Sequence, residues 1–535
     1  WNTLSYGSLD TSTRSDYLQI YLSDLNNITT DIIQNLKKNQ SPIEFIDPNE
    51  TLTTLIAPNV DTLNTTQNNK YKYLEINAKL IFGALPSIIP FMNHNPYTRN
   101  LFCMAQAKQA VGIFSSNFNK RMDTFSHVLY YPQTPIVQTK ISSNINYNNM
   151  PGGCNVVIAI LTYTGYNQED AVIFNKAAFD RGLFLSAYYR TYTEYLEEND
   201  ELVIPSINIR KNGNNYNKLQ SNGIIQNNTY INDTDIIIGR TSNNNSIPTD
   251  SSVAIHHGDF GSVDGIYSHN DDLNNSFVKV RVRMERTPNL ADKFGSRMGL
   301  KGTIGSILNH EDMPSTQDGI VPDIIINPHG IPSRMSTGHL IEMITGKTSS
   351  VLGALYDASP FENEFELENI IDLLKTLSYE QNGNEQLING FTGEIIDSSV
   401  YTGVQFYQRL KHMVHDKIQS RSTGPKTLLE RQPTKGRARG GGLRIGEMER
   451  DSIISHGMTN FLKESYTTRS DNYKTWICKL CGRLAIANPQ KNIFKCNYCD
   501  NSTQFDEIRV PYCTKLFIQE CEAQSICLRL STDKY

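Results

Sequence analysis

Ala291-Asp292-Lys293-Phe294-Gly295-Ser296-Arg297-Met298-Gly299-Leu300-Lys301-Gly302-Thr303-Ile304-Gly305 sets three cations among four glycines. Glycine permits positive φ and close backbone approach, and Lys and Arg supply charge, so the segment has the composition of a polyanion cradle. A structural turn is the alternative reading. No GxGxxG opens a helix here, and Thr345-Gly346-Lys347-Thr348 is not a P-loop because position 341 is Ile; dinucleotide-binding and ATPase readings lose their anchors. Immediately upstream, residues 277–284 alternate apolar and basic residues, the pattern of a strand with one buried and one positively charged face.

Working outward, the apolar run 321–326 ends in Asn327-Pro328-His329-Gly330-Ile331-Pro332-Ser333-Arg334-Met335. Its prolines and glycine fix a rigid turn. A guanidinium held there suits bidentate phosphate recognition; a structural ion pair at a strand end suits it equally. Residues 153–165 read as a buried strand running into a loop that carries Glu169 and Asp170 side by side, more often a solvated turn than a metal site. Residues 100–115 read as one Ala-rich helix, with Leu101, Met104, Ala105 and Val111 at helical spacing and Arg99, Gln106 and Gln109 as polar groups on or beside it.

The flanking regions carry less chemistry. Helical spacing at Tyr17, Ile20, Tyr21, Leu25, Ile28 and Ile32 beside a strand-like 43–47 suggests an α+β module. Residues 205–250 read as a β-rich appendage with Asn-rich surface loops, and the acidic 357–368, with Glu362, Glu364, Glu366 and Glu368, as a solvated loop or helix start. At 535 residues the chain has room for about three or four domains. Its mean hydropathy is −0.42, and no apolar stretch approaches the roughly 20 residues of a membrane helix, so a membrane-spanning protein is excluded. The start at Trp1 shows no basic or apolar leader region, which gives no sign of secretion.

Charge and cysteine usage point to two further sites. Net charge is −5, yet residues 409–450 hold eleven Lys or Arg against four acids. Such a concentrated block suits phosphate contact, and its Gly-rich stretch with Arg421, Arg431, Arg437, Arg439 and Arg444 can wrap a nucleic-acid backbone without reading bases. The mixed charges from Gly446 to Asp451 pair internally or with a partner. Cys478-x-x-Cys481 and Cys496-x-x-Cys499, fourteen residues apart, supply four thiolates for tetrahedral structural Zn2+. A set with four cysteines leaves no open position for catalysis. Cys103, Cys154, Cys513, Cys521 and Cys527 read as core or surface residues, and nine cysteines in all are too few for a disulfide scaffold.

Taken in order, Gly165 to Asp170, Asp292 to Arg297, Lys301 to Gly305, Asp312 to Pro314, Gly319 to Asp323, the Arg334 turn, Tyr407 to Lys411, the loop 431–451 and the paired cysteines resemble one family. It is the second-largest (β-like) subunit of multisubunit DNA-directed RNA polymerase, in its eukaryotic, archaeal or large-DNA-virus form. The likeness runs over roughly 70–535 and lacks the N-terminal half usual in the family, which suggests a split, truncated or partial subunit.

The resemblance implies an α+β multidomain chain: an external-type region at 1–82, a discontinuous hybrid-binding domain at 83–185 and 287–442, an inserted β-rich wall at 186–286, an anchor at 443–466, and a clamp segment with the zinc ribbon at 467–535. It implies that Glu169 and Asp170 approach a nucleotide-borne Mg2+, Arg99 and Arg334 meet the incoming triphosphate, and Lys293 and Lys301 contact the RNA 3′ end. Gln109 would lie near the RNA, Arg297 would bind nucleic acid, and 421–444 would line the DNA–RNA hybrid and template path. The main Mg2+ triad would belong to the largest subunit, since no Asp-x-Asp-x-Asp loop occurs here. Implied partners are that subunit, smaller polymerase subunits, DNA template, RNA and NTPs, with no membrane. The implied location is the nucleus for a cellular eukaryotic enzyme, or host cytoplasm and virion for a viral one. The competing class is a non-catalytic nucleic-acid-binding paralogue or regulatory zinc-ribbon protein, which would not need the carboxylate pair. A zinc hydrolase is disfavoured by the closed cysteine set and the absence of HExxH.

Overall fold

The computed structural model describes residues 5–8, 43–45, 48–57, 71, 73–74, 82–197, 199–211, 213–243, 248–270, 276–361 and 367–532. The helical spacing expected within 17–32, the end of the strand-like 43–47, and Glu362, Glu364 and Glu366 lie outside them. Helices and several sheets are mixed, and the chain divides into two units, one of 1–193 with 279–414 and one of 194–278 with 415–535.

The first unit is built on six strands: β1 (Cys154–Ile160), β2 (Ala171–Asn175), β3 (Lys293–Ser296), β4 (Lys301–Leu308), β5 (Ile324–Ile326) and β6 (Ile395–Arg409). Their hydrogen-bonded order is β3-β4-β2-β5-β1-β6, and β6 also pairs with β3, so the ring closes into a barrel. β4 with β2 and β5 with β1 are parallel; the other four pairings are antiparallel. Closure leaves these strands no free edge. The 15-residue β6 makes it possible, since one stretch pairs with β1 and its last three residues, Tyr407 to Arg409, with β3.

Alternation supplies the core. Val156 and Ile158 of β1, Val172 and Phe174 of β2, Phe294 of β3, Ile304 of β4, Ile324 and Ile326 of β5 and Tyr407 of β6 form one buried cluster. Phe294 is fully buried, with ring centroids 4.8 Å from Phe174 and 5.0 Å from Phe184. A buried ion pair pins the entry to β3: Arg409 donates to Asp292 at 2.9 Å and to the carbonyls of Phe184 and Arg286, while Asp292 accepts from the Val414 amide.

Two helices flank the barrel: α1 (Tyr97–Ala107), entered from Pro96, and α2 (Thr337–Leu352), which follows the Arg334 turn directly. The helix expected over 100–115 stops at Ala107, because the chain beyond is drawn into an extended pairing: Ala110 bridges Leu410 and the Val111 amide donates to the Arg409 carbonyl at 2.8 Å. Lys347 lies inside α2 and donates to Glu385, Thr402 and the Gly383 carbonyl, a structural use in line with the rejected P-loop. The strand Ser276–Arg286 forms as expected, but Arg281 on its charged side is buried, donating to the carbonyls of Phe118, Asn119 and Arg121.

In the second unit, Asp235 anchors the Asn-rich region by accepting from Lys218, Asn215 and the Asn232 amide beside the buried strand Ile236–Ile238. Farther along are α3 (Glu447–Ser455) and α4 (Thr459–Tyr466). After them, β7 (Asn472–Cys478) pairs with β10 (Phe505–Pro511) around the hairpin β8 (Ile486–Asn488) and β9 (Ile493–Lys495), and α5 (Tyr512–Ala523) follows. The mixed signs at the head of α3 resolve internally in the Arg450–Asp451 pair at 2.7 Å.

Candidate functional site

One open pocket of the barrel unit gathers residues far apart in sequence: Glu169, Asp170, Lys301, Arg334 and Tyr407 all line it. Glu169 and Asp170 end the loop that enters β2, and Glu169 adopts a left-handed backbone with φ of 52°, a conformation costly for a residue with a Cβ. The loop is tied down by Asn167, whose amide side chain donates to the Leu161 carbonyl and accepts from the Tyr163 amide. The Asp170 carbonyl accepts from the Thr303 amide of β4 at 3.0 Å.

Two glycines of the quoted segment explain the close fit. A Cβ at Gly302 would sit 2.6 Å from the Asp170 carbonyl oxygen, and one at Gly299, φ 73°, would sit 2.5 Å from that of Arg99. These glycines therefore face protein backbone. The expectation of a cradle in which glycine itself lets a polyanion approach is corrected: their effect is to bring the carboxylate loop and α1 against the Lys301 strand. Lys301, exposed at the head of β4, lies opposite Gly295 of β3, and Lys293 lies opposite Thr303, so both lysines share a face as diagonal neighbours.

Arg334 arrives from the turn Pro332–Arg334, closed by Met335 in the left-handed region at φ 51°. It forms a direct ion pair with Asp170. Arg99 on α1 stacks over Phe102 at 5.3 Å. Partial burial and the neighbouring Arg334 charge lower its pKa, and Asp170 opposes them, which puts all three groups in one electrostatic neighbourhood. Beneath them, burial raises the Tyr407 phenol above its usual range, so it stays neutral. Four of the six residues expected at the reacting end thus line one pocket, Arg99 lies within reach of the Arg334 and Asp170 charges, and Lys293 sits half-buried as a diagonal neighbour of Lys301.

The remaining expectations divide. Gln109 faces His412, its Oε1 lying 2.8 Å from His412 Nε2. Arg297 is corrected. It is 3 % exposed, pairs with the buried Glu342, donates to the Val137 carbonyl and stacks on Phe406, so its charge is already used inside the barrel unit and does not face RNA. Gln405 of β6 continues this network, donating to Glu342 at 2.9 Å and contacting His339.

The arginines of 421–444 belong to the second unit. Arg421 donates to the carbonyls of Gly440 and Pro425, and Arg437 to that of Ile418, so both shape the loop. Arg431 stacks over Tyr512 at 4.3 Å. Arg439 and Arg444 are exposed. Within one stretch of sequence, then, some arginines build the loop and others are presented by it.

Cys478, Cys481, Cys496 and Cys499 place their sulfurs within 4.8 Å of one another. The closest pairs, Cys478 with Cys499 and Cys481 with Cys496, are each 3.4 Å apart. Tetrahedral thiolates about 2.3 Å from an ion would lie about 3.8 Å apart, so the group can hold one metal ion. Asn501 supports it from outside, donating to the Cys478 sulfur at 3.3 Å while its carbonyl oxygen accepts from the Thr503 and Gln504 amides. Among the described residues no other cluster of three or more His, Cys, Asp or Glu is placed to bind a metal.

Comparison with known proteins supplies the lineage. Residues 85–439 match the family model for RNA polymerase Rpb2, domain 6, and residues 441–533 that for RNA polymerase Rpb2, domain 7. The chain belongs to the RNA polymerase Rpb2 family. It is 41 % identical over 514 residues to DNA-directed RNA polymerase II subunit 2 of Arabidopsis thaliana, covering 92 % of this chain and 43 % of that one. It is 43 % identical over 512 residues to DNA-directed RNA polymerase II subunit RPB2 of Encephalitozoon cuniculi, covering 91 % and 44 %. With DNA-directed RNA polymerase subunit Rpo2 of Sulfolobus acidocaldarius identity is 38 % over 509 residues, covering 92 % and 45 %. This Rpb2-family chain spans less than half the length of those relatives.

Tyr407, which lines this Rpb2-family pocket, and Asp292 carry no signal of a site in the sequence, and Arg409, counted in the basic block that suits phosphate contact, is corrected: it is buried against Asp292, where the pair fixes β3. All three fall inside the quoted motifs, so the available signal was a polar residue set between buried apolar ones. Its meaning depended on which strands pair.

Proposed function

We propose that this chain is part of the second-largest subunit of a DNA-directed RNA polymerase and forms the nucleotide side of an active centre shared with the largest subunit. The observation that carries the proposal is the convergence of Arg334, Lys301, Glu169 and Asp170 on one open pocket, with Arg99 close enough to feel the Arg334 and Asp170 charges. Phosphoryl transfer to an RNA 3′ end asks the protein mainly to position a polyphosphate and to neutralise charge as it moves. Arg334, directed by a proline-fixed turn, and Arg99 meet the triphosphate. Lys301 and Lys293, on one face of the β3–β4 hairpin, reach the RNA end and its phosphates. Two adjacent carboxylates are too few to hold an ion alone, which suits Glu169 and Asp170 to a Mg2+ that arrives on the nucleotide. The main catalytic Mg2+ is assigned to the largest subunit. The four cysteines hold structural Zn2+, whose chemistry is to fasten β7 to the β8–β9 hairpin, and the exposed arginines of 421–444 contact the DNA–RNA hybrid.

On this reading 83–185 with 287–442 is the hybrid-binding domain, 186–286 the wall, 443–466 the anchor and 467–535 the clamp segment, with smaller polymerase subunits as further partners. The test is RNA-primer extension on a DNA template by the complex that co-purifies with the tagged chain, beside the chain alone. Extension is expected from the complex only, and weakened about a hundredfold by Lys301→Ala. Unchanged extension by that variant would remove the lysine's role. No extension from a complex containing the largest subunit would favour a regulatory, non-catalytic chain.

A further inference from the structure

Arg297, buried and turned away from the pocket, sits where three elements meet. It belongs to the turn between β3 and β4, the strands that carry Lys293 and Lys301. From α1, which carries Arg99, the Cys103 thiol donates to the Arg297 carbonyl at 2.8 Å, and the Arg99 carbonyl lies against Gly299 of the same turn. Asn95, at the approach to α1, donates to the Met298 sulfur at 3.0 Å and accepts from the Gly338 amide of α2 at 2.9 Å. The Arg297 guanidinium completes the junction. It stacks on Phe406 of β6 at 4.9 Å, donates to the Val137 carbonyl at 2.8 Å and pairs with Glu342, eight residues past Arg334 along α2. Glu342 also accepts from Gln405 of β6 at 2.9 Å, and Gln405 contacts His339 at the same distance. Burial lowers the His339 pKa to about 4, so this ring brings no charge of its own to Glu342.

A buried ion pair gains little stability over apolar groups of the same volume, because desolvation offsets the attraction; what it adds is a fixed hydrogen-bonded geometry. Here that geometry joins the hairpin of Lys301 to the helix that continues from the Arg334 turn. We infer that the buried Arg297–Glu342 pair is a positioning device, which sets the spacing between Lys301 and Arg334 and so holds the RNA end and the triphosphate at reacting distance. The inference rests on the reading of the pocket given above and assigns a role to residues outside it. Each half of the site keeps its own ligand-binding groups, so relaxing the pair shifts the two ligands relative to each other without releasing either. Such a displacement lowers rate and spares affinity.

The experiment follows single-nucleotide addition by the assembled, template-primed complex over a range of NTP concentrations, with thermal unfolding of the same samples. The double variant Arg297→Met, Glu342→Leu replaces the pair by apolar groups, an exchange that buried pairs often tolerate without loss of stability. It is expected to keep its thermal stability and its half-saturating NTP concentration while the maximal rate falls by on the order of tenfold. Should the double variant fail to assemble, Gln405→Met removes one bond to Glu342 and is expected to show the same split at smaller size.

A maximal rate equal to that of the unaltered chain overturns the positioning role, and so does a fall in rate that tracks a loss of thermal stability or of NTP affinity. Lys301→Ala and Arg334→Ala, measured alongside, separate this failure from failure of the pocket reading. If they impair addition while the double variant does not, the pocket reading stands without the positioning role. If neither impairs addition, both fall.

Discussion

The pocket and the cysteine group solve the same problem, holding several charges together, by opposite means. Arg99, Asp170, Lys301 and Arg334 come from four elements spread over more than 200 residues, and only the closed barrel brings them together. Cys478 to Cys499 span 22 residues and converge through two local knuckles. The first site depends on a large hydrophobic core. The second has little core, and the metal it can hold takes the core's place. Charges in the pocket thus remain partly exposed, whereas the four cysteines face one another closely enough to share one ion.

The strongest way to break this contrast is Cys496→Ser. A four-thiolate structural zinc site as a whole contributes on the order of 10 kcal/mol, and with one of the four ligands gone the region from β7 to β10 is expected to lose its metal and its hydrogen-exchange protection while the barrel strands keep theirs. Metal content and exchange mass spectrometry on the same sample check it; simultaneous loss of barrel protection would erase the distinction. Next in size is Asp292→Ala, which removes the buried carboxylate opposite Arg409 and is expected to cost about 3–5 kcal/mol. Thermal unfolding with exchange read-out should show that loss in the barrel unit with the cysteine region unaffected.

What could be read in advance follows the same division. The four cysteines were legible because a metal site of this kind is written in local spacing. The individual ingredients of the pocket were legible too, as a carboxylate pair, a rigid arginine turn and a lysine-glycine segment. Their mutual distances were not, since these depend on β6 pairing with both β1 and β3. Arg297 shows the cost of reading composition alone: the cations on either side of it, Lys293 and Lys301, share a face of the hairpin, while Arg297 turns inward to Glu342. Likewise Gly112 between the β-branched Val111 and Ile113 is only a weak sign that the helix ends early, and the Arg409 carbonyl that captures Val111 lies some 300 residues away.

A smaller effect sharpens the chemistry of the pocket. Lys301→Ala is expected to slow single-nucleotide addition about a hundredfold, close to 2.7 kcal/mol, while leaving thermal stability unchanged, because its side chain is exposed and its strand register is set by the backbone. A fall in stability matching the fall in rate would recast Lys301 as structural. The smallest effect lies in the arginine loop. Arg439→Ala should lower the salt dependence of hybrid binding by about one phosphate contact and leave the loop intact. Arg421→Ala, which removes bonds to Gly440 and Pro425, should instead raise exchange throughout 421–444. Equal behaviour of the two variants would remove the distinction between arginines that build the loop and arginines it presents.

The central claim, that the barrel pocket receives the nucleotide's triphosphate, is tested most directly by photocrosslinking. A template-matched nucleotide bearing an arylazide on its γ-phosphate is bound to the assembled complex, illuminated and mapped by peptide mass spectrometry. Label is expected in the peptides that carry Arg99 and Arg334, and it should fall away with Arg334→Ala. Label absent from both peptides, with the nucleotide shown to be bound, would contradict the account.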